Sequence, residues 1–514
     1  MSDSLDTKSS NKRIAKNTMF LYMRMFVSII VNLYTVRVLW QVLGIDDYGI
    51  YNVVGGIVLM FAFLNNAMIA SSQRFISFEL GKGNKERLIK TFSISITVHL
   101  ILALCVLILA ETIGVWFLNE KLNIPSTRMA AANWVYQCSV ISFLLNVISV
   151  PYNACIVAHE HMKVYGYFGI IDIIIKLFLV LLTAVIPFDH LITYAILILL
   201  LSASMRFAYS IYCKTHFEEC RFHRSKDKRL MKDMFSFAGW SFIGNMGFSV
   251  RDQGINIILN LFFNVAVNAA KGIATQVGTV INGFATNFTM ALNPQITKRY
   301  ASGDIDGMLQ LLYNGCKFSL ILMSIVVIPL IMSAKTILSF WLGDVAPYTV
   351  GFLQLALIIS IIDCVVSPIT TSLQATGRIK KFQIIISIIM LANLPISWIW
   401  LKLDANPYIV MVVSIATSII ALISRLVLLH ELINFSYRCF FYKVYSRTIP
   451  YLFISSIWAW ILFPIFDSNF IGIILYIIFS LIGIGIALYL IALNKSEKKV
   501  FVESIVSRLK ILKR

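Results

Sequence analysis

The segment Asn268–Asn293, NAAKGIATQVGTVINGFATNFTMALN, decides the fold class because its polar residues repeat at three- and four-residue steps. These residues are Asn268, Lys271, Thr275, Thr279, Asn282, Thr286, Thr289 and Asn293. At about 100° per residue they fall on one side of a single helix, within about 80°. Bilayer hydrocarbon offers no hydrogen bonds, so this stripe must face protein or water across the membrane depth. The stripe predicts a helix that borders a solute path.

Composition predicts an all-α integral membrane protein. Hydrophobic residues make up 59% of the 514, and apolar runs of membrane-spanning length recur along the chain. Fourteen transmembrane helices are predicted, at 17–42, 49–72, 91–113, 129–157, 164–186, 190–213, 233–262, 266–292, 314–334, 348–375, 382–402, 407–430, 449–467 and 470–494. The polar, charged start at Met1–Lys16 does not have the pattern of a signal peptide.

The positive charge is distributed unevenly between the two sides of the predicted membrane protein. The chain has 44 Lys and Arg against 25 Asp and Glu, a net charge of +19. Most of the cations fall in the loops and tails on one side, such as Lys214–Lys232. The positive-inside rule therefore predicts that both termini are cytoplasmic. It also accounts for the basic charge without nucleic-acid binding.

Motifs of enzymes and metal proteins are missing from the sequence. The eight cysteines show no CxxC spacing, and His159-Glu160-His161 is interpreted as a solvated turn rather than a metal site. We find no nucleophile elbow, P-loop or HExxH. The sequence therefore predicts no catalytic residues, no cofactor and no metal.

The chain also repeats itself after about 217–220 residues. Pro151 aligns with Pro368, Gly83-Asn84 with Gly303-Asp304, and Arg206 with Arg425. A duplicated unit of six spans keeps its orientation, so the copies are related by an axis along the membrane normal. The predicted organisation is an N-lobe at 1–213, a cytoplasmic linker at 214–232, a C-lobe at 233–430, two appended spans at 431–494 and an amphipathic cytoplasmic tail at 495–514.

Further polar stripes recur in spans one, four, seven and ten. The residues predicted to line a polar lumen are Asn32, Asn146, Asn245, Asn256, Thr275, Thr279 and Asn282. The alternative is that Ser, Thr and Asn hold neighbouring helices together, as they often do in membrane bundles. Stripes of five to eight residues in matching spans favour a hydrated path.

Charged residues at membrane depth narrow the predicted substrate, because each is costly in hydrocarbon. The predicted substrate-binding cations are Arg24, Arg37, Lys176, Arg251 and Lys271, and the candidate acids are Asp172, Asp252 and Asp363. Asp172 and Lys176 are four residues apart and can form a structural ion pair. Arg206, Lys317 and Arg425 lie near span ends, where we expect their side chains to snorkel. The excess of cations predicts an anionic ligand, and diphosphate suits Arg and Lys.

Several motifs resemble those of bacterial polysaccharide flippases. They are Arg37-x5-Leu43-Gly44-x3-Tyr48-Gly49-x-Tyr51 after span one, Pro294 with Gly303-Asp304 after span eight, and the prolines Pro151 and Pro368. The sequence is similar over residues 10–430 to Wzx-type transporters of the MOP superfamily, which have the MATE-like fold.

This resemblance implies two six-helix lobes around a cationic cavity, working by alternating access in the bacterial cytoplasmic membrane. The implied substrate is an undecaprenyl-diphosphate-linked oligosaccharide, such as an O-antigen repeat unit. The implied partners are membrane lipids, a coupling proton or sodium ion at the three candidate acids, and the polymerase and assembly proteins of the glycan.

Other functions stay open at the level of sequence. A small-molecule or drug antiporter on the same scaffold would need acidic or aromatic binding groups. A lipid II flippase fits fourteen spans equally well. A membrane-embedded glycan polymerase or ligase would need catalytic groups on a sizeable outer loop, and the longest outer connections, 119–127 and 335–347, are short.

Overall fold

A computed structural model describes residues 2–59, 62–120, 124–223, 227–263, 265–342, 345–466, 470–495 and 497–499. Every regular element in these ranges is helical, which confirms the all-α prediction. The α-helices are α1 (Ser2–Leu59), α2 (Ala62–Lys82), α3 (Lys85–Leu109), α4 (Val115–Glu120), α5 (Met129–Ala158), α6 (Met162–Thr183), α7 (His190–His216), α8 (Lys228–Phe262), α9 (Val265–Ala301), α10 (Ile305–Met332), α11 (Ala334–Leu342), α12 (Thr349–Asp363), α13 (Val366–Ala375), α14 (Lys380–Lys402), α15 (Ile409–Ile433), α16 (Tyr437–Phe466) and α17 (Phe470–Ala487). Ser126–Arg128 and Glu218–Cys220 are 3₁₀ turns, and Ala110–Gly114 and Leu488–Ala492 are π-helical.

Eleven helices in the described part of the chain are long and apolar enough to cross a membrane. They correspond to predicted spans one, three to six and nine to fourteen. Predicted spans seven and eight are the long helices α8 and α9, which carry the polar stripes, and span two is helical at 49–59 and 62–72. The amphipathic face predicted at 501–512 lies outside the described residues.

The chain divides into two compact units. The first comprises residues 1–246, 290–305 and 374–384, and the second comprises 247–289, 306–373 and 385–514. In the first unit, α5 packs against α7 and α1 packs against α6. In the second unit, α12 packs against α15 and α16 against α17. Long helices therefore contribute different segments to different units.

Glycines determine where several helices turn. Gly44 interrupts α1 with φ 75° and ψ 176°, a backbone region that a side chain would strain. Gly83 ends α2 with φ 69°, and Gly303 ends α9 with φ 84°. These last two glycines are the pair aligned by the predicted 220-residue offset. The aligned positions thus share one helix-ending conformation.

Candidate functional site

Lys271 on α9 is the most enclosed of the predicted binding cations. Lys271 is 6% exposed, and its Nζ donates to Asn256 Oδ1 at 2.7 Å and to the Asp252 carbonyl at 3.4 Å. Both partners belong to α8, so the two long helices hold the ammonium between them. A buried ammonium that keeps a third donor can bind an anionic group.

Arg251 lies one residue before Asp252 and is oriented by it. Nε and Nη2 of Arg251 donate to Asp252 Oδ1 at 3.0 and 2.8 Å, and Nη1 contacts Met390 Sδ at 3.1 Å. The Arg251 side chain is 12% exposed, whereas that of Asp252 is 53% exposed. The predicted residues Arg251, Asp252, Asn256 and Lys271 therefore form one cluster in the second unit.

Asp363 lies in the same unit as this cluster, and two cations attract its carboxylate. It interacts electrostatically with Arg251 and Arg425. Arg425 is only 3% exposed, so the prediction that its side chain snorkels is wrong. The physical reason is that the half-buried carboxylate of Asp363 attracts the guanidinium inside the helix bundle.

Lys317 is also buried and paired inside the protein. Lys317 is 4% exposed, and its Nζ lies 2.6 Å from Glu497 Oε2. The expected snorkelling is therefore wrong for Lys317 also. Its partner lies 180 residues away in the carboxyl-terminal segment, beyond the reach of a pattern argument.

Arg24 on α1 forms a second cationic site, in the first unit. Its guanidinium carbon lies 4.6 Å from the centroid of the Tyr165 ring, and its charge interacts with Asp172. A Cβ atom built on Gly169 would lie 2.3 Å from Arg24 Nε. The missing side chain at Gly169 therefore makes room for the arginine between α1 and α6.

Asp172 on α6 interacts electrostatically with both Lys176 and Arg24. Both cations therefore attract the Asp172 carboxylate, without a described ion pair or hydrogen bond to it. All three side chains are half-buried. Arg37, the remaining predicted cation, is exposed on α1 and lies apart from the described contacts of this group.

The predicted lining residues are largely accessible. Asn32, Asn146, Thr275, Thr279 and Asn282 are exposed, whereas Asn245 and Asn256 are half-buried. The hydroxyls of Thr275 and Thr279 donate to carbonyls of their own helix, at Lys271 and Thr275, both at 2.9 Å. These hydroxyls satisfy their donors within α9, which disfavours the alternative that they hold neighbouring helices together.

Among the buried side-chain polar atoms of the described residues that lack a hydrogen-bond partner, two lie at aligned positions of the predicted duplication. They are Asn153 Oδ1 in the first unit and Thr370 Oγ1 in the second. The 217-residue offset of the predicted duplication aligns these two positions. Leaving a buried acceptor unsatisfied costs about 1–3 kcal/mol, so both atoms are suited to bind a polar solute or water.

Two polar contacts in the first unit were not predicted from the sequence. Arg128 binds the carboxylates of Asp47 and Asp189, with 2.9 Å between its Nε and Asp47 Oδ1. Glu160 is 5% exposed and binds Lys298, so interpreting His159-Glu160-His161 as a solvated turn was wrong. A signal existed in the sequence for Arg128 alone, because it is one of the few cations in the loops predicted to lie outside the cytoplasm.

Comparison with known proteins places this architecture in a family. The model of the family described as "Polysaccharide biosynthesis protein" matches residues 14–300, more than half of the chain. The chain belongs to this family. A second family model, MatE, matches residues 241–399. The predicted membership of the MOP superfamily is confirmed, and the protein is a multi-pass membrane protein.

The chain is also similar to individual proteins. It is 19% identical over 319 residues to the uncharacterized membrane protein EpsK of Bacillus subtilis (strain 168). That match covers 62% of this chain and 63% of the relative. An outward-facing multidrug resistance MATE family transporter of the MOP superfamily superposes with a TM-score of 0.72 at 13% identity, covering 83% of this chain and 96% of the other. The Vibrio cholerae MATE transporter VcmN in its bent form superposes with a TM-score of 0.69 at 15% identity, covering 85% of this chain and 99% of the other. At these identities the structures establish the fold alone.

Proposed function

We propose that the protein is a flippase for undecaprenyl-diphosphate-linked oligosaccharides in the bacterial cytoplasmic membrane. The two six-helix repeats would alternate access between the membrane sides, and both termini would be cytoplasmic, as the positive-inside rule predicts. The single observation that carries the proposal is the Arg251–Lys271 cluster, in a chain whose family model concerns polysaccharide biosynthesis.

The chemistry of this cluster suits a diphosphate headgroup. A guanidinium presents several N–H donors in a plane and binds phosphate oxygens in pairs, while an ammonium acts as a point charge. Arg251 and Lys271 supply one group of each kind from neighbouring helices. The exposed amides and hydroxyls along α9 supply partners for sugar hydroxyls, which require many neutral donors and acceptors.

The pairing of charges favours this substrate over a cationic drug. At least one cation attracts each candidate acid: Lys176 attracts Asp172, Arg251 forms an ion pair with Asp252, and Arg251 also attracts Asp363. A cationic ligand would therefore meet a neutral or positive site. We propose that a proton or sodium ion binds transiently at these acids and couples transport to an ion gradient.

Surface display of glycan in cells tests the proposal. Arg24→Ala, Arg251→Ala and Lys271→Ala are expressed in a strain that lacks the chromosomal copy, and Lys402→Ala serves as a matched control. Lys402 is a cation at the end of α14, distant in sequence from the clusters. We expect the three site variants to lose display at normal protein abundance, and the control to retain it. Full display in all three would remove the diphosphate-binding role.

Reconstituted vesicles separate the alternative substrates. The probes are a diphosphate-linked lipid oligosaccharide, lipid II and a cationic dye, each scored for movement between leaflets or across the bilayer. Movement of the oligosaccharide alone supports the proposal. Movement of lipid II alone, or of the dye alone, would assign the protein to the corresponding alternative.

A further inference from the structure

Five side chains of types that can bind a metal ion lie close together where the N-terminal repeat joins the charged linker. Cys155 and His159 come from the end of α5, Cys213 from the end of α7, and Glu219 and Cys220 from the 3₁₀ turn Glu218–Cys220. Ligand atoms of Cys155, His159 and Glu219 all lie within 4.8 Å of one another. All five residues belong to the first unit.

Two distances within this group are close to the spacing of ligand atoms in a tetrahedral metal site. Cys155 Sγ lies 3.4 Å from Cys220 Sγ and 3.5 Å from Glu219 Oε1. Zinc–sulfur bonds of about 2.3 Å and zinc–oxygen bonds of about 2.0–2.2 Å place such ligand atoms roughly 3.4–3.8 Å apart in a tetrahedron. His159 Nε2 and Glu219 Oε1 are in direct hydrogen-bond contact, so an ion entering between them would replace the shared proton.

The surroundings hold the ligands in place and keep bulk water away. Cys155, Cys213 and Cys220 are each 0% exposed, and Glu219 is 6% exposed. The His159 ring stacks on Phe217, with centroids 4.2 Å apart and an angle of 11° between the planes. The Cys213 thiol lies within hydrogen-bonding reach of Cys220. Such neighbours orient metal ligands and tune their basicity.

We propose that Cys155, His159, Glu219 and Cys220 form a structural zinc site. Two thiolates and an imidazole favour zinc over magnesium or calcium, which prefer oxygen ligands. All four positions are filled by protein, as in structural rather than catalytic zinc sites. Binding releases the thiol and imidazole protons that the ion displaces.

The site would fasten the beginning of the linker at 214–232 to the N-terminal repeat. Its ligands connect α5 with the 3₁₀ turn, 60 residues or more apart in the sequence. The proposal does not depend on the transported substrate. The site has no CxxC motif in the sequence, because its ligands come from separate elements that only the fold brings together.

Metal analysis of the full-length protein in detergent tests the proposal. The protein is purified without chelators and its zinc is measured by mass spectrometry; the zinc is then exchanged for cobalt. The test variant is Cys155→Ser/Cys220→Ser. The matched control is Cys105→Ser/Cys439→Ser, which removes one exposed and one half-buried thiol elsewhere in the chain.

We expect about one zinc per chain in the wild-type and control proteins, and at least a tenfold loss in the test variant. Cobalt should give the wild-type protein a thiolate charge-transfer band and the intense visible bands of tetrahedral coordination. The cobalt spectrum is recorded on wild-type protein, so it tests the proposed metal coordination even if the test variant does not fold. Wild-type protein with neither zinc nor these bands would overturn the proposal, as would a disulfide between Cys155 and Cys220 in its place.

Discussion

Glu160 and Lys298 form an ion pair across 138 residues of sequence, with 2.7 Å between Oε1 and Nζ. The Glu160 side chain is 1% exposed and that of Lys298 is 25% exposed. Gln295 Nε2 donates to the other carboxylate oxygen, and Asn17 Nδ2 donates to the Glu160 carbonyl at 3.2 Å. Within the first unit, Glu160 thus joins α1, the end of α5 and the carboxyl-terminal part of α9.

The two partners of this pair should respond differently to substitution. Lys298→Ala leaves a buried carboxylate without its counter-charge and should lower stability by about 1–3 kcal/mol. Glu160→Gln keeps the shape and an acceptor, so it should cost less, and the double variant should recover part of the loss. Thermal unfolding in detergent measures these effects. Arg299→Ala is the control, because it breaks a more exposed pair with Asp304. Strictly additive losses in the double variant would contradict the coupling.

Gly169 should control the position of Arg24. Gly169→Ala would place Cβ 2.3 Å from Arg24 Nε, so the guanidinium must leave the Tyr165 ring. We expect glycan display to fall at least several-fold, in the direction of Arg24→Ala, at similar protein abundance. Gly166→Ala is the matched control on the same helix, because its nearest contact would be an ordinary 3.5 Å. Equal display in the two glycine variants would exclude this role.

Asp363 should be needed for folding as well as for any coupling. Asp363→Asn removes the carboxylate that attracts Arg425, which is 3% exposed, so it should lower stability by about 1–3 kcal/mol. Protein abundance should drop, and Asp363→Asn/Arg425→Gln should restore it. Asp252→Asn is the control, since that side chain is 53% exposed. Abundance is read by fluorescence-detected size exclusion. Normal abundance of Asp363→Asn alone would show that Arg425 does not depend on this acid.

The response of the protein to acid should reflect the contact between Arg128 and Asp189. The hydrogen bond from Arg128 outweighs burial and holds the pKa of Asp189 below its usual value of 3.8. A lowered pKa in the folded state contributes stability that is present above pH 3.8 and is lost as the pH falls through the folded pKa. The Asp189 side chain is 30% exposed, so the contribution should stay below about 1 kcal/mol.

The measurement is the thermal midpoint in detergent between about pH 7 and pH 3. The wild-type midpoint should fall more steeply below pH 4 than that of Asp189→Asn, which lacks the titrating group. Glu120→Gln, which changes an exposed carboxylate, should follow the wild-type curve. Parallel curves for wild type and Asp189→Asn would exclude the contact as a source of acid sensitivity.

Much of the site follows from local patterns in the sequence. The stripe on α9, the pair Asp172 and Lys176, and the neighbours Arg251 and Asp252 can be recognised because their members lie within a few helical turns. Helical periodicity alone places such residues on a common side. The partner of Lys271, Asn256, lies on the preceding helix and was predicted only as a lining residue.

Contacts between distant segments required the tertiary structure. Arg425 and Lys317 have the positions of snorkelling residues, yet Asp363 and Glu497 supply partners inside the protein. The cysteines and His159 show no metal spacing until α5, α7 and the linker pack together.

Sequence alone determined the all-helical membrane class, the positions of the spans and the polar stripes, because hydrophobic burial in a bilayer acts on each helix separately. Tertiary structure decided which buried charges and thiols meet. Their pairing depends on packing between helices, and many partner assignments satisfy the same hydropathy pattern.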